Sequence, residues 1–291
     1  MKTNVLVALK NILENSNNEL INVYKGITYN RANNMGDALE YFVKDLFCSS
    51  LHIRDFCEKD EVYSEYLSYS GNSNNPPDFI IKQSSAVEVK KIEKLSFGDI
   101  ALNSSHPKDY LYLDSTLINK ACRICEDEFG GWTKKEMLYV IGNVIEDKLR
   151  MLWFLDGSCY CAEQEVYMKV KNTIHDGVRA INGVEFENTK ELAKVKKIDA
   201  LGITNLRVRG MWSIKHPMKV FTSLVNEYDD NTNLQIYCLI LKEKYDLLPK
   251  EDKECLKKYI DNNTLIMNMV KIKNPNNPVK FLDAVFFKAS L

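Results

Sequence analysis

A chain of 291 residues with 45% hydrophobic content is long enough to bury a sizeable core, as one large domain or two small ones. Its 39 Lys and Arg stand against 40 Asp and Glu, a formal net charge of −1, so bulk charge argues for neither nucleic acid nor a membrane surface. No apolar run approaches the roughly 20 residues that cross a bilayer, and MKTNVLVALKN turns polar too early for a secretory leader, which places the chain in the cytoplasm with its eight cysteines as reduced thiols.

In chain order, Val5, Leu9, Ile12 and Leu13 recur at helical spacing between Asn4 and Leu13, and Leu39, Phe42, Val43, Leu46 and Phe47 do so between Asp37 and Phe47. Both segments are expected to be amphipathic helices. After an acidic, Tyr-rich segment from Glu61 to Tyr69, the cluster GNSNNPP forces a turn, and two β-rich runs follow, FIIK and AVEVKKI. A helix is expected over Asp114 to Phe129, capped by Asp114 or Ser115, with Leu117, Ile118, Ala121, Cys122 and Cys125 along one face. MLYVIGNVI and KLRMLWFL flank the polar Glu146-Asp147 step as a hairpin of buried strands. Val166, Val170 and Ile174 mark another helix, NLRVRGMWSI a strand with alternating basic residues, and LQIYCLIL a further buried strand, while NPNNP near Asn274 separates only a short tail. This order predicts α/β layering around a mixed sheet.

The hairpin NNPPDFIIKQSSAVEVKKIE carries Asp78, Glu88 and Lys90 on otherwise apolar strands. A Glu-x-Lys triplet is weak by itself, because the chain has three, but Glu146/Lys148 lies in a polar turn and Glu251/Lys253 in a charged helical stretch. Strand alternation puts Phe79, Ile81, Val87 and Val89 on one apolar face and Asp78, Glu88 and Lys90 on the other. Pairing Lys82 with Ala86 across Gln83, Ser84 and Ser85 sets Ile80 opposite Glu88 and Asp78 opposite Lys90, whereas a one-residue slip separates the carboxylates. Two converging carboxylates suit a hard divalent cation, and a neighbouring ammonium suits phosphodiester hydrolysis. Pattern alone leaves open an ordinary salt bridge on a half-exposed hairpin.

Pro77-Asp78 followed by Glu88-Val89-Lys90 resembles the PD-(D/E)xK nuclease motif. The wider string, from RANNMGDALE through NNPPDFIIK, AVEVKKIE, ALNSSHPKDYLY and ACRICE to LGITNLRVRGMW, resembles the NgoPII-type family of type II restriction endonucleases from about Asn30 to Pro217. The resemblance implies a PD-(D/E)xK restriction-endonuclease-like fold, a central mixed β-sheet flanked by helices, and Mg²⁺-dependent cleavage of double-stranded DNA at a short defined sequence. It makes Asp78 and Glu88 metal ligands with the Val89 carbonyl as a third, Lys90 the catalytic ammonium, and Glu40 in GDALEYF a further catalytic carboxylate. Glu40 and Lys44 are also spaced as an ordinary helical ion pair.

Asn103, Ser104, Ser105, His106 and Lys108 follow the catalytic strands in a segment dense in donors and acceptors. Asn103 to Ser105 match the family string and are expected at DNA, with Lys108 on a phosphate. Arg207 and Arg209 alternate with Leu206 and Val208, and no acidic residue lies near them in sequence, so DNA is favoured over a neighbouring Asp or Glu as their partner. Cys122/Cys125 with Cys159/Cys161 offer four thiolates, but the first pair shares an apolar helix face and the second has unusual spacing, so zinc is not expected.

The expectation is a single domain over 1–291, with a catalytic core at about 30–160, DNA-recognition elements at about 100–112 and 200–220, and a C-terminal part, 230–291, without an assigned role. It acts on double-stranded DNA as a homodimer matching a twofold target, with a companion DNA methyltransferase in the same system and no membrane. The alternatives are a structure-selective repair or recombination nuclease and a non-catalytic DNA-binding module.

Overall fold

The computed structural model describes residues 2–15, 31–72, 75–94, 96–146, 148–189, 191–225 and 234–291. Ser73-Asn74 of the expected turn, Asp147, and the expected segment starts at 30 and 230 lie outside them.

The chain opens with α1 (Val5–Glu14), α2 (Arg31–Cys48) and α3 (Phe56–Tyr66), followed by β1 (Leu67–Asn72), β2 (Asn75–Ile81), β3 (Ala86–Ile92), β4 (Ile100–Asn103) and β5 (Tyr110–Tyr112). Next come α4 (Lys120–Ile124), β6 (Lys134–Ile145), β7 (Lys148–Asp156), α5 (Gly157–Tyr160) and α6 (Gln164–Arg179). Short strands β8 (Glu185–Phe186), β9 (Ala193–Lys196), β10 (Leu206–Val208) and β11 (Trp212–Ile214) lead to α7 (Pro217–Val220). The chain closes with β12 (Gln235–Leu241), α8 (Lys242–Leu247), α9 (Lys250–Asp261), β13 (Leu265–Asn274) and β14 (Asn277–Ser290).

The architecture is α/β. A mixed sheet runs β1-β2-β3-β6-β7-β12-β14-β13, with β5 also on β6; β3/β6 and β7/β12 are parallel and the other neighbours antiparallel. Both faces are covered, which is why β12 reads as an unbroken apolar run with every residue buried. On one face Phe79, Val87, Phe154 and Cys238 pack under Leu9 of α1, Phe42 and Phe47 of α2 and Leu256 of α9. On the other, Trp153 stacks on Tyr237 with centroids 4.4 Å apart, beneath Phe221 after α7 and Cys122 of α4.

Both N-terminal helices form where the spacing predicts them, with the Asn4 side chain capping α1 through the Leu6 N–H. The hairpin of MLYVIGNVI and KLRMLWFL is β6/β7. Three expectations change. The helix over Asp114 to Phe129 shrinks to α4, because Asn119 supplies the cap by accepting the Cys122 N–H, and Arg123 turns back to the carbonyls of Leu113 and Ser115. Beyond it, Glu126 is drawn into a buried ion pair with Lys135 and also accepts from Ser68 and the Gln83 N–H, so the α-helix does not continue and only a 3₁₀ turn over Asp127–Phe129 follows. The segment NLRVRGMWSI is not one strand: it breaks around Gly210, β10 pairing with β9 and β11 with β4. NPNNP at Asn274 turns a hairpin, and the supposed tail is β14, an internal strand between β12 and β13.

His216 ties the small β4/β11 sheet to the large one. It is fully buried, with one ring nitrogen 3.1 Å from Asn143 Oδ1 on β6 and the other accepting the Met218 N–H. Burial, with Lys219 nearby, pushes its pKa down to about 4. Because the unfolded chain takes the proton near pH 6.5 and the folded one does not, the stability present above that pH is lost as pH falls toward 4. Between pH 7 and pH 5 the expected loss from this group is about 2 kcal/mol. Urea titrations of the protein and of His216→Gln check it: the variant's midpoint falls less over that interval, and an equal fall in both contradicts the assignment.

Candidate active site

The β2/β3 hairpin carries the charged trio as alternation requires. Phe79, Ile81 and Val87 are buried in the core under α2, with Val89 packed against it, and Ile80 and Ala86 are buried in the opposite core. The register differs from the expected one by two residues: Phe79 pairs with Val87 and Ile80 with Ala86. The cause is Lys82. Its N–H bonds to Tyr66 C=O and its ammonium reaches the Ser64 carbonyl, so it leaves the ladder. The hairpin closes one residue earlier, through the Ile81 N–H to Ser85 C=O bond, with Gln83 at φ 55°. An even shift preserves faces, so Asp78 stays on the side of Glu88 and Lys90.

Beyond Phe79 and Val87 the side chains take over from the backbone ladder. The Val89 N–H donates to Asp78 Oδ2 at 2.6 Å, and Lys90 Nζ meets Glu88 Oε1 at 2.7 Å. Burial, then repulsion from Glu88, raises the Asp78 carboxyl well above the ordinary range, with Lys90 opposing. Burial pulls Lys90 the other way from its carboxylates, and Glu88 and Asp78 outweigh it, so the side chain is held as an ammonium. Two carboxylates whose joint ionisation is disfavoured are the donor set a hard cation completes, and Mg²⁺ needs only one or two of them because it keeps several waters. Among the described residues no group of three His, Cys, Asp or Glu is placed to hold a metal.

Glu40 pairs with Lys44 at 2.7 Å, so the helical ion pair forms. Its charge nevertheless reaches the trio, raising both Asp78 and Lys90.

The trio lies in a cleft of about 770 Å³. Asn103, Ser104, Ser105 and His106 line it, together with Gln164, Met168 and Lys171 of α6 and with Glu191, Arg209 and Trp212. His106 stacks on Tyr167 and meets the edge of Trp212, and its Nε2 is buried without a hydrogen-bond partner among the described residues. Lys108 does not stand at the surface: it is buried, and its ammonium donates to Ser105 Oγ and to His106 C=O at 3.0 Å. Burial lowers its pKa to about 8, opposed by Glu88. It holds the 103–106 loop from behind. The approach is close there, since a side chain on Gly157 would meet the Lys108 and Asp109 carbonyls at 2.7 and 2.8 Å.

Arg207 and Arg209 do find an acidic partner, Glu191, from 16 and 18 residues upstream. Sequence distance hid it. The α6 face was missed for a different reason: Val166, Val170 and Ile174 mark the helix, but they are exposed, and the cleft is lined by Gln164, Met168 and Lys171 at the complementary i, i+4, i+7 positions. No described helix is long and apolar enough to cross a membrane.

A model of the family described as NgoPII restriction endonuclease matches residues 3–273 of the chain. The type II restriction enzyme NgoPII of Neisseria gonorrhoeae is 38% identical over 283 residues, 97% of each chain. No solved structure matches.

Proposed function

Because the chain belongs to the NgoPII restriction endonuclease family and is a type II restriction endonuclease, we propose that its scissile-phosphate site is the trio Asp78, Glu88 and Lys90, served by Mg²⁺ on a PD-(D/E)xK fold. The observation that carries this reading is the convergence of Asp78, whose carboxyl is pushed well up by burial and by Glu88, with Glu88 itself and the half-buried Lys90 ammonium on one face of the β2/β3 hairpin, inside the cleft.

Asp78, Glu88 and the Val89 carbonyl would hold the metal. When bound, Mg²⁺ neutralises charge on the phosphate and polarises its oxygens. In the reaction a water oxygen bonds to phosphorus, one P–O bond of the strand breaks, and the water's proton leaves as the departing oxygen gains one. The Asp78 carboxylate is fixed by the Val89 N–H, and Glu88 by its charge-assisted bond to Lys90. Lys90, held protonated by its neighbours, orients the attacking water and stabilises charge gathering on the phosphate. Glu40 adds negative charge behind the pair and acts as a further catalytic carboxylate once Lys44 releases it.

Asn103, Ser104, Ser105, Arg207 and Arg209 contact the duplex, with Lys108 supporting the loop beneath its phosphates. The single domain acts in the cytoplasm as a homodimer, because a twofold target is best met by a twofold protein. A companion methyltransferase protects host DNA.

Digestion of plasmid DNA with Mg²⁺ and with EDTA tests the reading. The expected outcome is discrete bands with Mg²⁺ and none with EDTA, and sequencing the fragment ends gives the site and the cut position. Cleavage that persists undiminished in EDTA contradicts the metal assignment. Sedimentation of the enzyme on a cognate duplex in Ca²⁺ is expected to give two chains per duplex.

A further inference from the structure

Glu191 and Arg209 line the same cleft as the charged trio. The Glu191 carboxylate takes two prongs of the Arg207 guanidinium, Nε at 2.9 Å on Oε2 and Nη2 at 2.7 Å on Oε1, and the Nε of Arg209 at 2.6 Å on Oε1. A fork of two parallel N–H donors on two oxygens is also how a guanidinium meets a phosphate, or the O6 and N7 edge of guanine. One carboxylate therefore engages both arginines at once, taking the Nε–Nη2 fork of Arg207 and the Nε of Arg209. The arginine side chains are 56% and 62% exposed whereas that of Glu191 is 17% exposed, so the cations can swing outward while the anion stays in the wall. Exposed ion pairs are individually weak, which makes this one exchangeable for a phosphate or base edge without unfolding anything.

We propose that Glu191 is a specificity-determining residue: an internal stand-in for DNA that keeps Arg207 and Arg209 engaged until a duplex seated in the cleft offers them a better acceptor. The inference rests on the reading that both arginines contact DNA. The three groups carry a net charge of +1, against the +2 that two arginines would carry without the Glu191 carboxylate, and the bonds to Glu191 hold both guanidiniums back from phosphates. Non-specific binding is nearly all phosphate contact, so arginines already bonded to Glu191 gain little from random sequence. A recognition site adds base contacts, and these offset the loss of the Glu191 bonds.

Glu191→Gln keeps an oxygen for the guanidiniums and removes the charge. On a labelled duplex without the recognition sequence, in Ca²⁺ and about 50 mM salt, the variant is expected to bind about tenfold more tightly. The slope of log affinity against log salt is expected to steepen by about 1 to 2, up to about one for each guanidinium released. Adding Arg207→Ala or Arg209→Ala to that variant is expected to reverse both changes, and matched melting temperatures exclude misfolding as their source. If Glu191→Gln leaves non-specific binding unchanged or weaker while Arg207→Ala in the unsubstituted enzyme weakens binding, the carboxylate is a brace that aims the arginines and the proposal is overturned. If Arg207→Ala and Arg209→Ala change binding to neither cognate nor non-cognate duplex, the DNA role of the arginines fails, and the Glu191 proposal with it.

Discussion

Lys90→Ala is expected to lower single-turnover cleavage of a cognate duplex by at least about 10²- to 10³-fold, the cost of removing one preorganised cationic donor from a developing oxyanion. Affinity for the same duplex in Ca²⁺ should stay within about threefold, because one buried ammonium is a small part of a duplex footprint. The site explains the split. Lys90 is half-buried against Glu88 in the wall of the cleft, so it offers an arriving duplex little exposed charge. Its removal also leaves Glu88 and Asp78 facing each other without their shared cation, which disfavours their joint ionisation further. Lys90→Arg separates the two contributions: the positive charge is kept but the geometry of a compact ammonium is lost, so the carboxylates stay paired while cleavage remains low. Normal cutting by Lys90→Ala would remove the lysine from the mechanism.

The second large effect is expected at Asp78. Asp78→Asn removes a carboxylate proposed to hold the metal and should cost about 10³-fold or more in cleavage, several kcal/mol of stabilisation at the phosphate. Its effect on stability runs the other way. The Asp78 carboxyl is raised by burial and by Glu88, so the folded state binds its proton more readily than the unfolded chain. Ionising it at neutral pH therefore works against the fold. An amide accepts the Val89 N–H equally well and carries no charge. In EDTA, Asp78→Asn is expected to melt higher than the unsubstituted enzyme at pH 7. The advantage shrinks as pH falls toward the ordinary carboxylate range, where Asp78 is protonated in both states. A variant that melts lower at pH 7 would show that Lys90 and the Val89 N–H stabilise the carboxylate by more than burial and Glu88 disfavour it.

The parts of this site that could be read in the sequence follow from strand alternation. A period of two puts Asp78, Glu88 and Lys90 on one face whatever the loop does, provided the shift is even, so the trio survived an error in register. The register itself depended on where Lys82 sends its N–H, a tertiary choice invisible in the local pattern. The Arg207/Arg209 pairing with Glu191 and the burial of Lys108 share that character, since both depend on segments distant in sequence or on packing beneath a loop. The expected helix at Asp114 to Phe129 failed because side-chain bonds outcompeted helical periodicity: Asn119 caps late and Glu126 is claimed by Lys135. In the C-terminal third, LQIYCLIL was legible as a buried strand because every residue is apolar or buried on a two-sided sheet. The β13/β14 hairpin was not, since its distal half is exposed and lacks a buried face to set the alternation.

The claim that a divalent cation sits on Asp78 and Glu88 has a test that needs no cleavage of DNA. Fe²⁺ with ascorbate and peroxide cuts a polypeptide backbone next to the bound metal, and the fragments can be mapped by mass spectrometry. Scission confined to 76–80 and 86–91, suppressed by excess Mg²⁺ and absent in Asp78→Asn, is the predicted result. Specific scission elsewhere in the chain, with both segments intact, would contradict the account.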